Sequence, residues 1–167
     1  MKVTEKRTII ITDPSHFVKD SDWGTGFNFD RREINLPDFT NYVWINTGFG
    51  DGTGKVFTTD KALSQYELEE AIIGLRKTDG ILEGYRDLGR FCVDSGTFGA
   101  FYYDEVLKYY PDFALDIGSW CYTIVPDFLG SIYETSLDDS DESSEESGYY
   151  CYNYLIGSGN KSICTIW

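Results

Sequence analysis

One histidine, His16, sits in Thr12-Asp13-Pro14-Ser15-His16-Phe17, so imidazole chemistry anywhere in this 167-residue chain must use that ring. A second Asp-Ser pair occurs in Val93-Asp94-Ser95-Gly96-Thr97-Phe98-Gly99, at the end of an apolar run. If the two turns meet, Asp13, His16, Asp94 and Ser95 form a cluster of catalytic type. In such a cluster an imidazole takes a hydroxyl's proton while a carboxylate fixes the ring's tautomer. The same residues are ordinary turn formers, because Asp-Pro and Asp-Ser-Gly side chains bond their own backbone. Turn chemistry alone explains both segments, so the expectation is a protein that is not an enzyme.

Other chemistry-bearing patterns are incomplete. A phosphate-cradling loop needs G-x-x-x-x-G-K-[ST]. Gly54-Lys55 fits its end, but Phe49 stands at the first glycine position and Val56 replaces the hydroxyl residue. The dinucleotide pattern G-x-G-x-x-G fails at Thr53, and the segment that follows reads as a strand rather than a helix. Read from Asp139, a calcium loop has Ser144 where glycine is required and Tyr150 where the bidentate glutamate belongs. Cys92, Cys121, Cys151 and Cys164 show no close pairing and lie in apolar runs, so they read as small buried hydrophobes. No metal and no cofactor are expected.

The charge is more informative. Twenty-eight acids against 14 bases give a net −14, and the imbalance is local. Residues 109–160 hold 10 acids and neither Lys nor Arg. The field of such a chain repels phosphate backbones, so direct nucleic-acid binding is excluded and a basic protein partner fits. Six carboxylates fall between Asp138 and Glu146. At roughly 3.3 Å per extended residue they space one charge per about 5 Å, against about 3.4 Å along a DNA strand. The tract by itself is a sparse imitation of a nucleic acid. Like charges with little to bury predict a mobile loop over 137–147 inside a single domain spanning 1–167. No apolar run approaches the length of a membrane span, and Thr8 to Thr12 is too short for a signal core, so the expected compartment is the cytoplasm.

Elements must position these residues. Ser64-Gln65-Tyr66-Glu67 is a capping box, followed by Leu68, Ala71, Ile72 and Leu75 on one helical stripe, which predicts a helix over about 64–78. A shorter helix is predicted over 103–110, ended by Pro111. Tyr42 to Ile45 and Val56 to Thr59, flanking a Gly/Asp-rich stretch, read as a hairpin. Strands are also expected from Arg7 to Thr12, Arg90 to Asp94, Thr97 to Tyr102, Ser119 to Val125, Phe128 to Tyr133, Tyr149 to Ile156 and Lys161 to Trp167. Ser21 to Pro37 reads as an ordered loop. Together these predict an α+β fold with a largely antiparallel β-sheet.

Ile11-Thr12-Asp13-Pro14 with the later Val93-Asp94-Ser95-Gly96-Thr97-Phe98-Gly99 resembles a group of small uncharacterised bacterial and phage proteins. That group has an early Asp-Pro-Cys-Tyr turn and a later Asp-Ser-Gly turn. This chain departs from it at Ser15-His16, and the match covers under a tenth of the residues. The resemblance implies a phage or mobile-element origin, with the host cytoplasm as compartment, and carries no activity. With the acidity, the expectation is a protein-binding inhibitor of anti-defence type, occupying the basic channel of a nucleic-acid-binding enzyme such as a CRISPR effector. Glu134, Asp138, Asp139, Asp141, Glu142, Glu145 and Glu146 are the expected partner-binding carboxylates. Tyr150, Tyr152 and Tyr154, alternating along one strand, are the expected aromatic anchors. Two alternatives stay open: a small-ligand domain or enzyme using the Asp13/His16 and Asp94/Ser95 turns, and a structural or assembly protein.

Overall fold

A computed structural model describes residues 1–18, 34, 39, 41–48, 50–124, 129–139, 150–157 and 162–166. For 122–124, 138–139, 150–153 and 162–166 it describes the backbone only. The strands are β1 (Lys2–Val3), β2 (Ile9–Thr12), β3 (Val43–Asn46), β4 (Gly52–Thr59), β5 (Tyr85–Val93), β6 (Thr97–Tyr102), β7 (Cys121–Ile124), β8 (Gly130–Asp139), β9 (Tyr150–Gly157) and β10 (Ser162–Ile166). The helices are α1 (Gln65–Lys77) and α2 (Tyr103–Tyr109). Every strand ladder is antiparallel, and the fold is α+β as expected. The strands form two sheets, ordered β1-β8-β9-β10-β4-β5 and β3-β6-β2-β7.

Period-two alternation builds four layers from these sheets. Ile9 and Ile11, Ile45, Phe98 and Ala100 from the smaller sheet meet Val56, Phe91, Val93, Ile132 and Leu155 from the larger. The intervening residues face outward and are covered by helices. Phe57, Leu137, Tyr154 and Ile156 pack under the α1 stripe of Leu68, Ala71, Ile72 and Leu75. Ile10, Trp44 and Phe101 pack with Val106 of α2 and with Phe17, Phe39 and Tyr110. Each sheet therefore carries two apolar faces, which is why the β2 run Ile9-Ile10-Ile11 does not alternate with polar residues.

Three expectations are corrected here. The predicted hairpin does not form: β3 pairs with β6 in the small sheet and β4 with β10 and β5 in the large one. Residues 47–51 carry the chain from one sheet to the other. The acidic loop does not begin at 137, because β8 continues to Asp139, paired with Tyr150. Leu137 is buried against the α1 layer, and burying it draws its neighbours into the strand. Tyr154 is no surface anchor: it is fully buried among the residues beneath α1. The acids Asp141, Glu142, Glu145 and Glu146, and the Ser21 to Pro37 segment apart from Ile34, lie outside the described residues.

Candidate functional site

The chain crosses between the sheets again at the β5–β6 turn, residues 94–96, and there the two Asp-containing segments meet. β2 ends at Thr12, and Pro14 starts a single 3-10 turn that Asp13 caps by accepting from Ser15 N–H at 2.8 Å. The same carboxylate accepts from the backbone N–H groups of Asp94 and Ser95, both at 2.7 Å, and from the Ser95 hydroxyl at 2.6 Å. Asp13 is fully buried, and its four short bonds engage both oxygens completely. It clasps the end of a small-sheet strand to the turn that leaves the large sheet. Thr47 N–H donates to Gly96 O at 2.9 Å, which ties the β3–β4 crossing to the same turn. Gly96 holds a φ of +70° there, a conformation that side-chain-bearing residues rarely adopt.

His16 lies on the outer side of this clasp, its side chain retaining 9 % of its exposure. Its Nδ1 is 3.3 Å from both Thr12 Oγ1 and Trp120 O. Thr12 Oγ1 donates its own hydrogen to Trp120 O at 2.8 Å, so Nδ1 faces two acceptors and is placed to donate. Nε2 faces Asp94 Oδ2 at 3.4 Å. Cys92 Sγ donates to the other oxygen of Asp94, also at 3.4 Å. Burial pushes the Cys92 thiol pKa up, and the hydrogen bond to Asp94 and the charges of Asp94, Asp13 and Asp51 add to the rise. Burial likewise raises the Cys121 thiol.

All four sequence candidates, Asp13, His16, Asp94 and Ser95, are thus brought together, but not as a nucleophile and base. Ser95 Oγ donates to Asp13 and shares a 2.7 Å contact with Thr97 Oγ1, so its proton is directed at a buried carboxylate rather than an imidazole. Of the four, His16 lines two neighbouring concavities. One hollow of about 340 Å³ is bounded by His16, Asp112, Phe113, Ala114 and Trp120. A second, of about 250 Å³, shares His16, Asp112 and Phe113 and continues toward Phe17 and Tyr109. Phe113 is held as a wall by edge-to-face contact with Phe17 at 5.8 Å. Among the described residues, no three His, Cys, Asp or Glu side chains gather as metal ligands.

The sequence pattern places Trp120 in a strand from Ser119 to Val125. It stands instead in the turn before β7, where the N–H groups of Ser119 and Trp120 both donate to Asp116 O, and Cys92 N–H anchors the turn by donating to Ser119 O at 2.8 Å. Trp120 stays 43 % exposed while its ring and that of His16 meet in a T-shaped arrangement with centroids 4.9 Å apart, and nearby Ile117 is 54 % exposed. A large aromatic directly before an apolar strand gives no sequence signal that it stays outside. Only its place in the cation-free stretch marks it.

The ladders also fix where the acidic tract attaches. Asp139 pairs with Tyr150, and the registers through β9, β10, β4 and β5 bring that end of the sheet level with Gly52 and Val93. The tract's two attachment points and the Asp51 and Asp94 crossings therefore share one end of the large sheet. At about 4.8 Å per strand, β8 and β5 lie roughly 19 Å apart along it. Glu134, nearer the middle of β8, is exposed. No known protein family, curated protein or solved structure matches the chain. No helix among the described residues is long and apolar enough to cross a membrane.

Proposed function

We propose that this chain is an acidic protein-binding module that engages a basic surface, acting as an inhibitor of a nucleic-acid-binding enzyme. One observation carries the reading: exposed Trp120 and Ile117 stand among the exposed carboxylates of Asp51, Asp94, Asp112 and Asp116, at the end of the sheet from which the acidic tract departs. Aromatic anchors supply desolvated contact area, while surrounding like charges select a partner of opposite sign and speed its approach. The tract is too sparse alone to imitate a nucleic acid, and the folded carboxylates beside it add charge at the same end. A phage or mobile-element source, and an anti-defence role, belong to this proposal through the resemblance of the two turn motifs.

The small-ligand or enzymatic alternative keeps one supporting observation, the meeting of Asp13, His16, Asp94 and Ser95. The engagement of Ser95 with Asp13 weighs against hydroxyl nucleophile chemistry at that point.

The test is capture of lysate proteins on the immobilised chain at low and moderate salt. It is repeated with Asp112→Asn/Asp116→Asn and with the acids from Asp138 to Glu146 changed to Ser or Asn. A basic partner whose capture weakens with salt and with both variants is expected. Capture that ignores salt and all charge changes would end the electrostatic reading.

A further inference from the structure

The hollow beside His16 has a chemistry more specific than its acidity. Its walls are the indole of Trp120 and the ring of Phe113, its one charged lining residue is Asp112, and its remaining edge is the nearly buried imidazole of His16. Nε2 of His16 is engaged with Asp94 Oδ2 at 3.4 Å, and Asp94 does not line this hollow, so the polar group open to a guest there is the exposed carboxylate of Asp112. An aromatic wall beside a carboxylate suits a flat cation with several N–H groups, because it stacks on an aromatic face and donates to the carboxylate in its own plane.

We propose that this hollow is an anchoring pocket for the guanidinium of an arginine side chain on the partner protein. The inference deepens the acidic-module reading and rests on it. The guanidinium lies against Trp120 and pairs with Asp112, and its methylene stem covers Phe113 and Ala114 beside the His16 ring. A volume of about 340 Å³ accommodates the head and stem of such a side chain. Lysine fits less well, since an ammonium neither stacks nor donates in a planar fork. Citrulline, which has the same shape without the charge, tests whether the cation matters.

The experiment titrates the full chain with N-acetyl-arginine amide, N-acetyl-lysine amide and N-acetyl-citrulline amide at low salt, following the His16 ring protons by NMR. His16 is the sole histidine, so its signal needs no separation from others. Saturable shifts with arginine amide are expected at a Kd on the order of millimolar. Lysine amide should bind at least about threefold more weakly, and citrulline amide should give no saturable shift. Trp120→Ala and Asp112→Asn, both exposed positions, should each weaken arginine amide by about threefold or more. Equal binding of citrulline amide, absence of saturation, or unchanged affinity in both variants would overturn the pocket. If those results came while the charge variants still lost the partner, the pocket would fall and the acidic-module reading would stand. If arginine amide bound as expected but partner capture ignored charge, the module reading would fall instead.

Discussion

Replacing Asp13 with asparagine probes the clasp at its centre. The native carboxylate accepts four bonds, from Ser15 N–H, Asp94 N–H, Ser95 N–H and Ser95 Oγ–H, within a fully buried residue. An amide keeps one oxygen, which can continue to serve the Asp94 and Ser95 N–H groups without the charge. Its NH2 then faces Ser95 Oγ, which can turn to accept, and Ser15 N–H, which cannot. Loss of charge assistance costs about 1 kcal/mol for each of the two retained bonds, and one orphaned donor costs about 1–3 kcal/mol. Partial solvent access at exposed Ser15 puts the expected total near 3 kcal/mol, or a Tm fall of about 6–12 °C for a chain of this size. The assay is urea unfolding at pH 7 followed by circular dichroism, with Asp94→Asn as the control. The Asp94 side chain is mostly exposed, so the control should lose less than about 1 kcal/mol. A loss below about 1 kcal/mol in Asp13→Asn, or one equal to the control, would refute the view that this carboxylate holds the two crossings together.

Three further outcomes follow from particular contacts. A methyl group at Gly99 would overlap the Val43 carbonyl oxygen and press on the Phe101 ring, so Gly99→Ala should destabilise by about 2–3 kcal/mol in the same assay; a neutral result would contradict the β3–β6 packing. The raised Cys92 pKa leaves little thiolate at pH 8, so iodoacetamide should modify it more slowly than free cysteine. Asp94→Asn, which removes a hydrogen bond and a negative charge, should lower that pKa and speed the reaction about threefold, read by peptide mapping at Cys92. An unchanged rate would show that Asp94 does not govern the thiol. Ser64 Oγ accepts from Glu67 N–H and donates to the Glu67 carboxylate, so Ser64→Ala should cost about 1 kcal/mol, with restoration by Ser64→Asp and not by Ser64→Val.

The parts of this fold that were legible in the sequence are those set by local chemistry. Helix α1 was readable because Ser64 and Glu67 mark its start and four apolar residues mark its buried face, and both survive in the structure. Thr97 to Tyr102 was readable as a strand because β-branched and aromatic residues cluster there. Pairing was not legible. Tyr42 to Ile45 and Val56 to Thr59 look like hairpin partners because they are neighbours along the chain, yet each has two apolar faces to cover and they join different sheets. Tyr154 shows the same limit, since alternation fixes that Tyr150, Tyr152 and Tyr154 share a face but not that helix α1 covers Tyr154. The meeting of Asp13 with Ser95 rests on a sequence separation of 82 residues, which no local pattern encodes.

That separation bears on how the molecule comes apart. A loop of about 80 residues must be ordered before the clasp can close, and the entropy of closing it is met before the four bonds offer anything in return. The bonds therefore belong to the late, downhill part of folding rather than to its nucleus. Their loss should fall mainly on the unfolding limb of a chevron, shortening the native state's lifetime while leaving the refolding rate nearly unchanged. Asp13 in this view acts less as an organiser of the two sheets than as a latch, determining how long they stay joined once they have met.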